Sequence, residues 1–372
     1  MKLTSVSSLA DIAPHEWNAL TAAANPFIQY DFLRALEQHG CLQPWGWEPN
    51  YLVAIDDDEL VGASPSYTKH NSYGEFVFDW AWADAYRRNR QPYYPKLVIA
   101  APFTPATGPR LLTRPDSEQA VIQQNLIQAA VAVVADNNLS SAHWLFCNDD
   151  DRTQLQHEGM LMRNDFQYHW VNHDYDNFDH FLTQLSSKKR KNIKRERRRV
   201  TDADITTEVI HGDDLSEQQW HLLYDFYRIT FVKKSGAATL TLDFFQAMSH
   251  QLRAIFARHH NNIVAGAICF EGNDTLYGRH WGCYHEYDSL HFEVCYYSGI
   301  DYCIRTGLQR FEPGAQGEHK IARGFLPTRT YSAHWIADEV YRNAIRQHLS
   351  HETRMLDDYY QQLMSSQPYK QR

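Results

Sequence analysis

The sequence contains few cysteines and no long apolar run, and these absences exclude several classes of protein. Six cysteines are scattered over 372 residues without a Cys-x-x-Cys pair, which argues against a disulfide scaffold or a cysteine-rich zinc module. No stretch approaches the roughly 18 apolar residues that a membrane-spanning helix requires. The N-terminus lacks the apolar core of a secretory signal. We therefore expect a cytoplasmic protein that does not insert into a membrane.

A metal-ligand pattern is also missing, although the chain has 20 histidines. Cys283 and His285 form a close Cys/His pair and His291 follows them, but no second cluster accompanies these residues. A zinc site needs about four ligands at recognisable spacing. The sequence therefore predicts no metal ion.

The basic residues are distributed very unevenly along a chain whose formal net charge is −9. Nine of the 36 lysines and arginines lie in the segment 188–199, beside a single acid, Glu196. Apolar residues at helical spacing predict an amphipathic helix here, whose cations are either simply solvated or hold an anion at one place. The candidate anion-binding residues are Lys188, Lys189, Arg190, Lys191 and Lys194.

A weak internal repeat indicates how the chain is organised. Apolar strands flank the turn-like segment 56–59, and a similar pair flanks 259–262, which predicts two β-hairpins about 203 residues apart. Each hairpin is followed by a strand, a helix and another strand. We therefore predict an α/β (α+β) fold with two domains of similar topology, each a mixed central sheet flanked by helices.

Polar residues near 172–177 are typical of a linker and set the predicted domain boundary. The N-terminal domain then spans 1–172 and the C-terminal domain 173–336, with the basic helix 188–199 near its start. A terminal helix within 337–372 is expected to pack back on the N-terminal domain.

Several segments resemble the FemAB-like group of tandem GNAT-fold acyltransferases, including its branch described as peptidoglycan biosynthesis or recognition proteins. The segments that carry the resemblance are 25–40, 186–194, 277–282, 291–297, 311–320 and 322–325. The resemblance implies two GNAT-like domains. It also implies transfer of an acyl or aminoacyl group to an amine, in the Fem enzymes an amine of a cell-wall precursor.

The resemblance further implies a donor that is a co-substrate, either acyl-CoA or aminoacyl-tRNA, with no tightly bound cofactor. The sequence departs from single-domain acetyl-CoA relatives at 284–290, which lacks the Gln/Arg-x-x-Gly-x-Gly/Ala loop that holds a CoA pyrophosphate. The donor therefore stays open, and the expected partner is a tRNA or a small anionic molecule. The oligomeric state is not indicated.

The residues proposed for catalysis lie in the C-terminal segments. Glu293 stands near the start of a predicted helix, where it either accepts a proton from an attacking amine or only complements the helix N-terminus. Glu318 and His319 are further candidates for the base. They belong to the loop 314–320, whose two glycines and several polar groups indicate a site, although a solvated structural turn is the alternative.

The remaining candidates are substrate contacts. Gln316 and Lys320 are expected to stabilise an oxyanion or a phosphate, and Arg323 to contact an anion. Tyr277, Arg279 and Trp281 share one face of a predicted strand, where they form a substrate wall or are simply packed in the core. The rival to an enzyme is a non-catalytic protein of the same fold that recognises a cell-wall fragment or RNA.

Overall fold

The computed structural model describes residues 1–21, 25–115, 118–233, 236–314 and 317–370. The chain divides into two compact units, one formed by Met1–Asp165 with Arg329–Tyr359 and the other by Phe166–Thr328 with Tyr360–Arg372. The first division therefore falls within a continuous strand, Leu161–Val171, and not in the polar segment after it. The second boundary lies between residues 328 and 329, whereas the boundary predicted from sequence lies between 336 and 337. Most of the terminal helix belongs to the first unit.

The first unit contains eight strands and five helices of its own among the described residues, and it shares three elements with the second unit. Its strands are β1 (Lys2–Val6), β2 (Trp47–Pro49), β3 (Tyr51–Asp56), β4 (Glu59–Ser64), β5 (Ser66–Lys69), β6 (Lys96–Ile99), β7 (Leu112–Thr113) and β8 (Ser141–Cys147). Its helices are α1 (Pro14–Ala19), α2 (Tyr30–Gln38), α3 (Trp80–Arg88), α4 (Gln119–Asp136) and α5 (Asp149–His157). The shared elements are β9 (Leu161–Val171), β15 (Leu326–Ile336) and α12 (Glu339–Ser365).

Two sheets organise the first unit. One has the order β1-β3-β4-β7, and the other contains the run β15-β8-β6-β5-β2. Strands β6 and β8 are parallel, and their pairing extends from Leu97↔Ala142 to Ile99↔Trp144. Helix α4 buries Leu126, Ile127 and Val134 in the core cluster that includes these strands. Because the helix is apolar on its buried side, packing against the sheets stabilises both layers.

The second unit repeats this plan with different lengths. Its own strands are β10 (Ile205–His211), β11 (Leu252–His259), β12 (Asn262–Glu271), β13 (Thr275–Cys283) and β14 (Arg310–Glu312). Its helices are α6 (Phe178–Gln184), α7 (Ser187–Asp202), α8 (Glu217–Lys233), α9 (Leu242–Ala247), α10 (Leu290–Phe292) and α11 (Ser298–Thr306). The strands form the run β10-β11-β12-β13-β14-β9, in which only β13 and β14 are parallel neighbours.

The predicted hairpins are both present. β3 pairs with β4 and β11 with β12, each through a two-residue turn. Asp57 and Asp58 have φ of 47° and 64°, the left-handed geometry that matches the twist of paired strands. The two hairpins predicted from the internal repeat are therefore confirmed.

Helix α8 lies directly against the sheet of the second unit. A Cβ atom at Gly282 of β13 would stand 1.9 Å from the carbonyl oxygen of Phe226 in α8. Only glycine allows this approach of helix and strand. Within the described residues, no helix is both long enough and apolar enough to span a bilayer.

Gly282→Ala is expected to lower the free energy of unfolding by about 3 kcal/mol or more, because backbone would have to move away from the new methyl group. Urea denaturation measures the change. Gly236→Ala is the matched control, since its Cβ would meet only ordinary contacts at 3.6 Å. Equal stability of the two variants would contradict the packing argument.

Candidate active site

The site begins where the parallel strands β13 and β14 separate. Their pairing covers three residue pairs, Thr275↔Arg310 to Tyr277↔Glu312, after which β14 ends and β13 continues to Cys283. A bulge follows at once on the other edge of β13, where Cys269 pairs with Gly278 and Ile268 with His280. Arg279 is thus the extra residue of the bulge, and its side chain is turned toward the opening.

A pocket of about 90 Å³ occupies the opening. Gly278, Arg279 and Trp281 of β13 form one side, and Cys295, Tyr296 and Pro313 line other parts of it. A volume of this size accommodates a small group rather than a whole nucleotide. Arg279 and Trp281, two predicted substrate contacts, are therefore confirmed only as neighbours in one pocket, and their role stays a proposal.

A π-helical segment shapes the opposite wall. Glu293–Tyr297 connects α10 to α11 and places Cys295 and Tyr296 at the pocket. Such one-turn widenings cost backbone hydrogen-bond geometry and occur frequently at functional sites. Burial raises the pKa of the Cys295 thiol well above its ordinary value. Cys295 therefore remains a thiol at neutral pH and is a poor nucleophile.

Lys320 lies next to this pocket and is almost fully buried, with 2% of its surface exposed. Its ammonium donates to the carbonyl oxygen of Gly314 at 2.7 Å, and within the described residues this is its single hydrogen-bond partner. Burial lowers the pKa of Lys320 to about 8, with a small opposing contribution from Cys295 and a lowering one from Arg279. An ammonium has three donors, so two donors of this buried group remain for a ligand.

His319 precedes Lys320 in the 3₁₀ turn Glu318–Arg323. Its Nε2 lies 2.8 Å from the hydroxyl of Tyr296. Burial first, and then the positive charges of Arg323 and Lys320, lower the pKa of His319. The imidazole is therefore neutral at neutral pH, the form that accepts a proton. Glu318 is exposed at the start of the same turn, and Gln316 lies outside the described residues.

Arg323 is held by its own unit. Its guanidinium contacts both carboxylate oxygens of Glu196 in α7, at 2.8 and 3.2 Å, and donates to the carbonyl of His319 at 2.7 Å. It also stacks on Phe292, 3.4 Å from the ring centroid. These contacts position the turn that carries His319 and Lys320, and they leave Arg323 little capacity for an anionic ligand.

Glu293 is held in a similar way. The side chain is buried, and both of its carboxylate oxygens accept hydrogen bonds from Arg197 of α7 at 2.9 to 3.2 Å. Burial raises the pKa of Glu293, and the charge of Arg197 partly offsets this. Between the two roles considered from sequence, this geometry favours a structural one, since the Arg197 guanidinium bonds both carboxylate oxygens and holds the side chain in place.

A row of buried polar residues crosses the sheet at the splay point. Tyr277 of β13 is adjacent to Glu312 of β14, and Glu312 is adjacent in turn to His169 of β9, with 3.9 Å between His169 Nδ1 and Glu312 Oε1. Burial lowers the pKa of His169. Glu312 and His169 were not among the residues singled out from sequence. The signal for Glu312 was an acid directly after the segment 308–311, and no local pattern marked His169.

Some charged residues of the basic helix α7 form ion pairs inside the second unit, and others lie at its surface. Arg197 and Glu196 face inward, while Lys194 pairs with Asp179 and Arg199 with Asp288 at the surface. Among the ion pairs of described residues, none involves the first-turn cations Lys188, Lys189, Arg190 and Lys191. Four cations near the positive end of a helix dipole repel one another unless an anion compensates them.

The corresponding opening in the first unit is closed. The pairing of β8 with β6 ends at Trp144. Past this point Gly108 forms a parallel bridge with Cys147, and its N–H donates to the carbonyl of Phe146 at 3.0 Å. Arg110 is completely buried, and its guanidinium donates to the carbonyls of Leu145, Ala106 and Pro109 at 2.7 to 2.9 Å. The space between these splayed strands is therefore filled by the chain itself.

No group of three or more His, Cys, Asp or Glu side chains with metal-binding geometry occurs among the described residues. The Cys/His pair considered from sequence, Cys283 and His285, accordingly has no metal-binding group of ligands around it in the part of the chain that the structure describes. Cys283 is buried, and burial raises the pKa of its thiol.

The fold is shared with three solved structures of low sequence identity. FemX superposes with a TM-score of 0.53 at 10% identity, covering 93% of this chain and 100% of that one. The C-terminal domain of a putative lysylphosphatidylglycerol synthetase from Agrobacterium fabrum gives 0.52 at 9%, covering 90% and 95%. L-PGS from Bacillus licheniformis gives 0.51 at 11%, covering 86% and 95%. The predicted α/β class with two tandem GNAT-like domains is confirmed.

No curated protein sequence shows significant similarity to the chain. The sequence does match the FemAB-like family, described as peptidoglycan biosynthesis/recognition, over residues 8–371. Because this match covers nearly the whole chain, the protein belongs to the FemAB-like family.

Proposed function

We propose that the protein is an N-acyltransferase that moves an acyl or aminoacyl group from an activated donor to an amine, and that the reaction takes place in the second unit. The observation that carries the proposal is Lys320, a buried ammonium beside the pocket with a single acceptor among the residues that the structure describes. The closed opening of the first unit supports the assignment of the reaction to the second, the domain predicted to be catalytic.

The chemistry requires an amine that attacks a carbonyl carbon, stabilisation of the resulting oxyanion, and removal of a proton from the attacking nitrogen. Lys320 supplies donors for the oxyanion. Neutral His319 takes the proton, and the departing oxygen or sulfur of the donor receives a proton as the bond from carbon to that atom breaks. The carbon–nitrogen bond of the new amide forms in the same sequence.

The other predicted residues take supporting places in this proposal. Arg279 and Trp281 form the wall against which the transferred group lies, buried Tyr277 supports the Arg279 guanidinium at 5.1 Å, and Gln316 remains a candidate for the oxyanion. Glu318 is the alternative base. Through their ion pairs with Arg197 and Glu196 of α7, Glu293 and Arg323 position the π-helical segment and the turn that carries Lys320.

The donor is proposed from charge. Four cations at the start of α7, none with an ion pair to another described residue, fit an extended polyanion such as tRNA better than a single pyrophosphate, so aminoacyl-tRNA is favoured over acyl-CoA. The family description, peptidoglycan biosynthesis/recognition, supports an amine of a peptidoglycan precursor as acceptor. We also propose the cytoplasm as the location, where such a donor is available.

A second candidate is a non-catalytic protein that recognises a cell-wall fragment or RNA with the same surfaces. It is favoured by the bidentate pairing of Glu293, which removes the most buried candidate base from chemistry. The two functions are separated by incubating the protein with charged tRNAs and with acyl-CoAs in the presence of an amine acceptor. Consumption of neither donor, together with binding of one, would support the binding protein.

Lys320→Met is expected to lower kcat/KM by about 10² to 10³, the cost of losing one oxyanion donor, with little change in donor affinity. Steady-state kinetics with the consumed donor measure the effect. Lys370→Met is the control because Lys370 is exposed. An active Lys320→Met variant would remove the proposed role of this ammonium.

The pH dependence of transfer offers an independent check. Because the pKa of Lys320 is about 8, the protonated donor is lost as the pH rises through 8, and kcat should fall there. In Lys320→Arg the guanidinium stays protonated, so the residual activity is expected to persist to higher pH. A fall at the same pH in both proteins would assign that limb to another group.

Lys188→Gln with Lys191→Gln is expected to weaken donor binding and to reduce the slope of log affinity against log salt by about one unit or more, because fewer counterions are released. Binding of charged tRNA at several salt concentrations measures the slope. Arg199→Gln serves as control, since Arg199 already pairs with Asp288 at 2.9 Å. An unchanged slope would show that α7 does not contact the donor.

A further inference from the structure

A loop of the first unit is built with its charges inside and its aromatic rings outside. Tyr73, Phe76, Phe78 and Trp80 are 60%, 40%, 50% and 48% exposed. Between them, Glu75 and Asp79 are buried. We call residues 73–80 the aromatic loop. In water, aromatic rings are normally buried and carboxylates exposed. The exposure of four rings therefore indicates that they contact another molecule.

Buried ion pairs hold the loop in this orientation. Lys96, at the start of β6 and completely buried, donates to Glu75 Oε2 at 2.8 Å and also contacts Asp79. The hydroxyl of Tyr93 donates to Asp79 at 2.6 Å. Because removing one partner of a buried pair leaves an uncompensated charge, these contacts fix the carboxylates inside.

Backbone strain accompanies the anchoring. Phe76, directly after buried Glu75, has φ of 59°, a left-handed conformation that costs a side-chain-bearing residue about 1 kcal/mol or more. The rings of Tyr73 and Trp80 meet edge to face at 6.2 Å and close the base of the loop. The protein thus maintains a strained, closed loop whose outer surface is aromatic.

We propose that the aromatic loop docks on the surface of a lipid bilayer. Its residue order matches the depth profile of a bilayer: the wholly apolar residues Phe76, Val77 and Phe78 form the middle, and Tyr73 and Trp80, which favour the headgroup level, form the ends. Glu75 and Asp79, the two acids within the loop, are turned inward and share the ammonium of Lys96. No spanning segment is needed, because the contact is confined to the interface.

Cations next to the loop complement anionic headgroups. Trp80 begins α3, and Arg87 and Arg88 lie on the same helix face at i+7 and i+8, with Arg90 just beyond; all three are exposed. Arg87 pairs with Asp84 at 2.8 Å, whereas Arg88 and Arg90 form no ion pair with other described residues. A partner protein would need about 800 Å² on each side, more than one eight-residue loop presents.

Vesicle co-sedimentation of the full chain tests the proposal, with phosphatidylcholine vesicles and with vesicles that also contain phosphatidylglycerol. The wild type is expected to bind both, and the mixed vesicles more tightly. Phe76→Ser with Phe78→Ser should lower the partition coefficient at least about tenfold on both. Arg88→Gln with Arg90→Gln should lower it several-fold on the mixed vesicles alone.

Val340→Ser with Met355→Ser is the matched control, because these exposed apolar residues belong to the same unit and should leave binding unchanged. Thermal unfolding verifies that each variant is folded. Failure of the wild type to bind either vesicle, or equal binding by the Phe76/Phe78 variant, overturns the proposal. A dimer that the Phe76/Phe78 variant dissociates, without lipid binding, also overturns it and assigns the loop to a second copy. Acyl transfer is assayed separately, so neither proposal's failure decides the other.

Discussion

The parallel pairing of β13 and β14, which stops after three residue pairs, is the constraint on which the site depends. Parallel strands that continued together would share their hydrogen bonds and leave no space between them. Once β14 ends at Glu312, the edge of β13 that faced it is left open to the pocket, the bulge at Arg279 lies on the edge paired with β12, and the π-helical segment forms the opposite wall. The pocket, the bulge and the π-helical segment therefore all lie where the two strands separate.

The two units show opposite uses of buried cations. In the first, Lys69 has three acceptors, the carbonyls of Trp45 and Tyr73 and the side chain of Asn71. Lys96 is surrounded by Ser72, Glu75 and Asp79, and Arg110 has three carbonyls. These groups are satisfied by the protein and stabilise it. Lys320 has a single acceptor among the described residues, the carbonyl of Gly314, which leaves two of its three donors without a protein acceptor there.

The sequence was sufficient for the fold class and for both hairpins, because these follow from local alternation and turn chemistry. The capping box of α8, in which Ser216 and Gln219 exchange hydrogen bonds, is likewise a local pattern. The sequence was insufficient for the roles of Glu293 and Arg323. Their partners Arg197 and Glu196 lie 96 and 127 residues away, and no local pattern reports such contacts. The closure of the first unit's opening by Arg110 is non-local for the same reason.

The basic helix shows why a charge count along the chain is an incomplete description of a surface. Nine cations read as a single patch in sequence, yet α7 uses consecutive residues, Glu196 and Arg197, to hold the turn that carries Lys320 and the π segment that carries Cys295. The cations of the first turn end at Lys191, about 8 Å of helix axis before Glu196. A rigid helix thus connects the surface proposed for the donor with the π-helical wall of the pocket and with the turn that carries Lys320. A donor that orders the first turn would stabilise the same helix that positions the reacting groups, so donor binding and site geometry are coupled through α7.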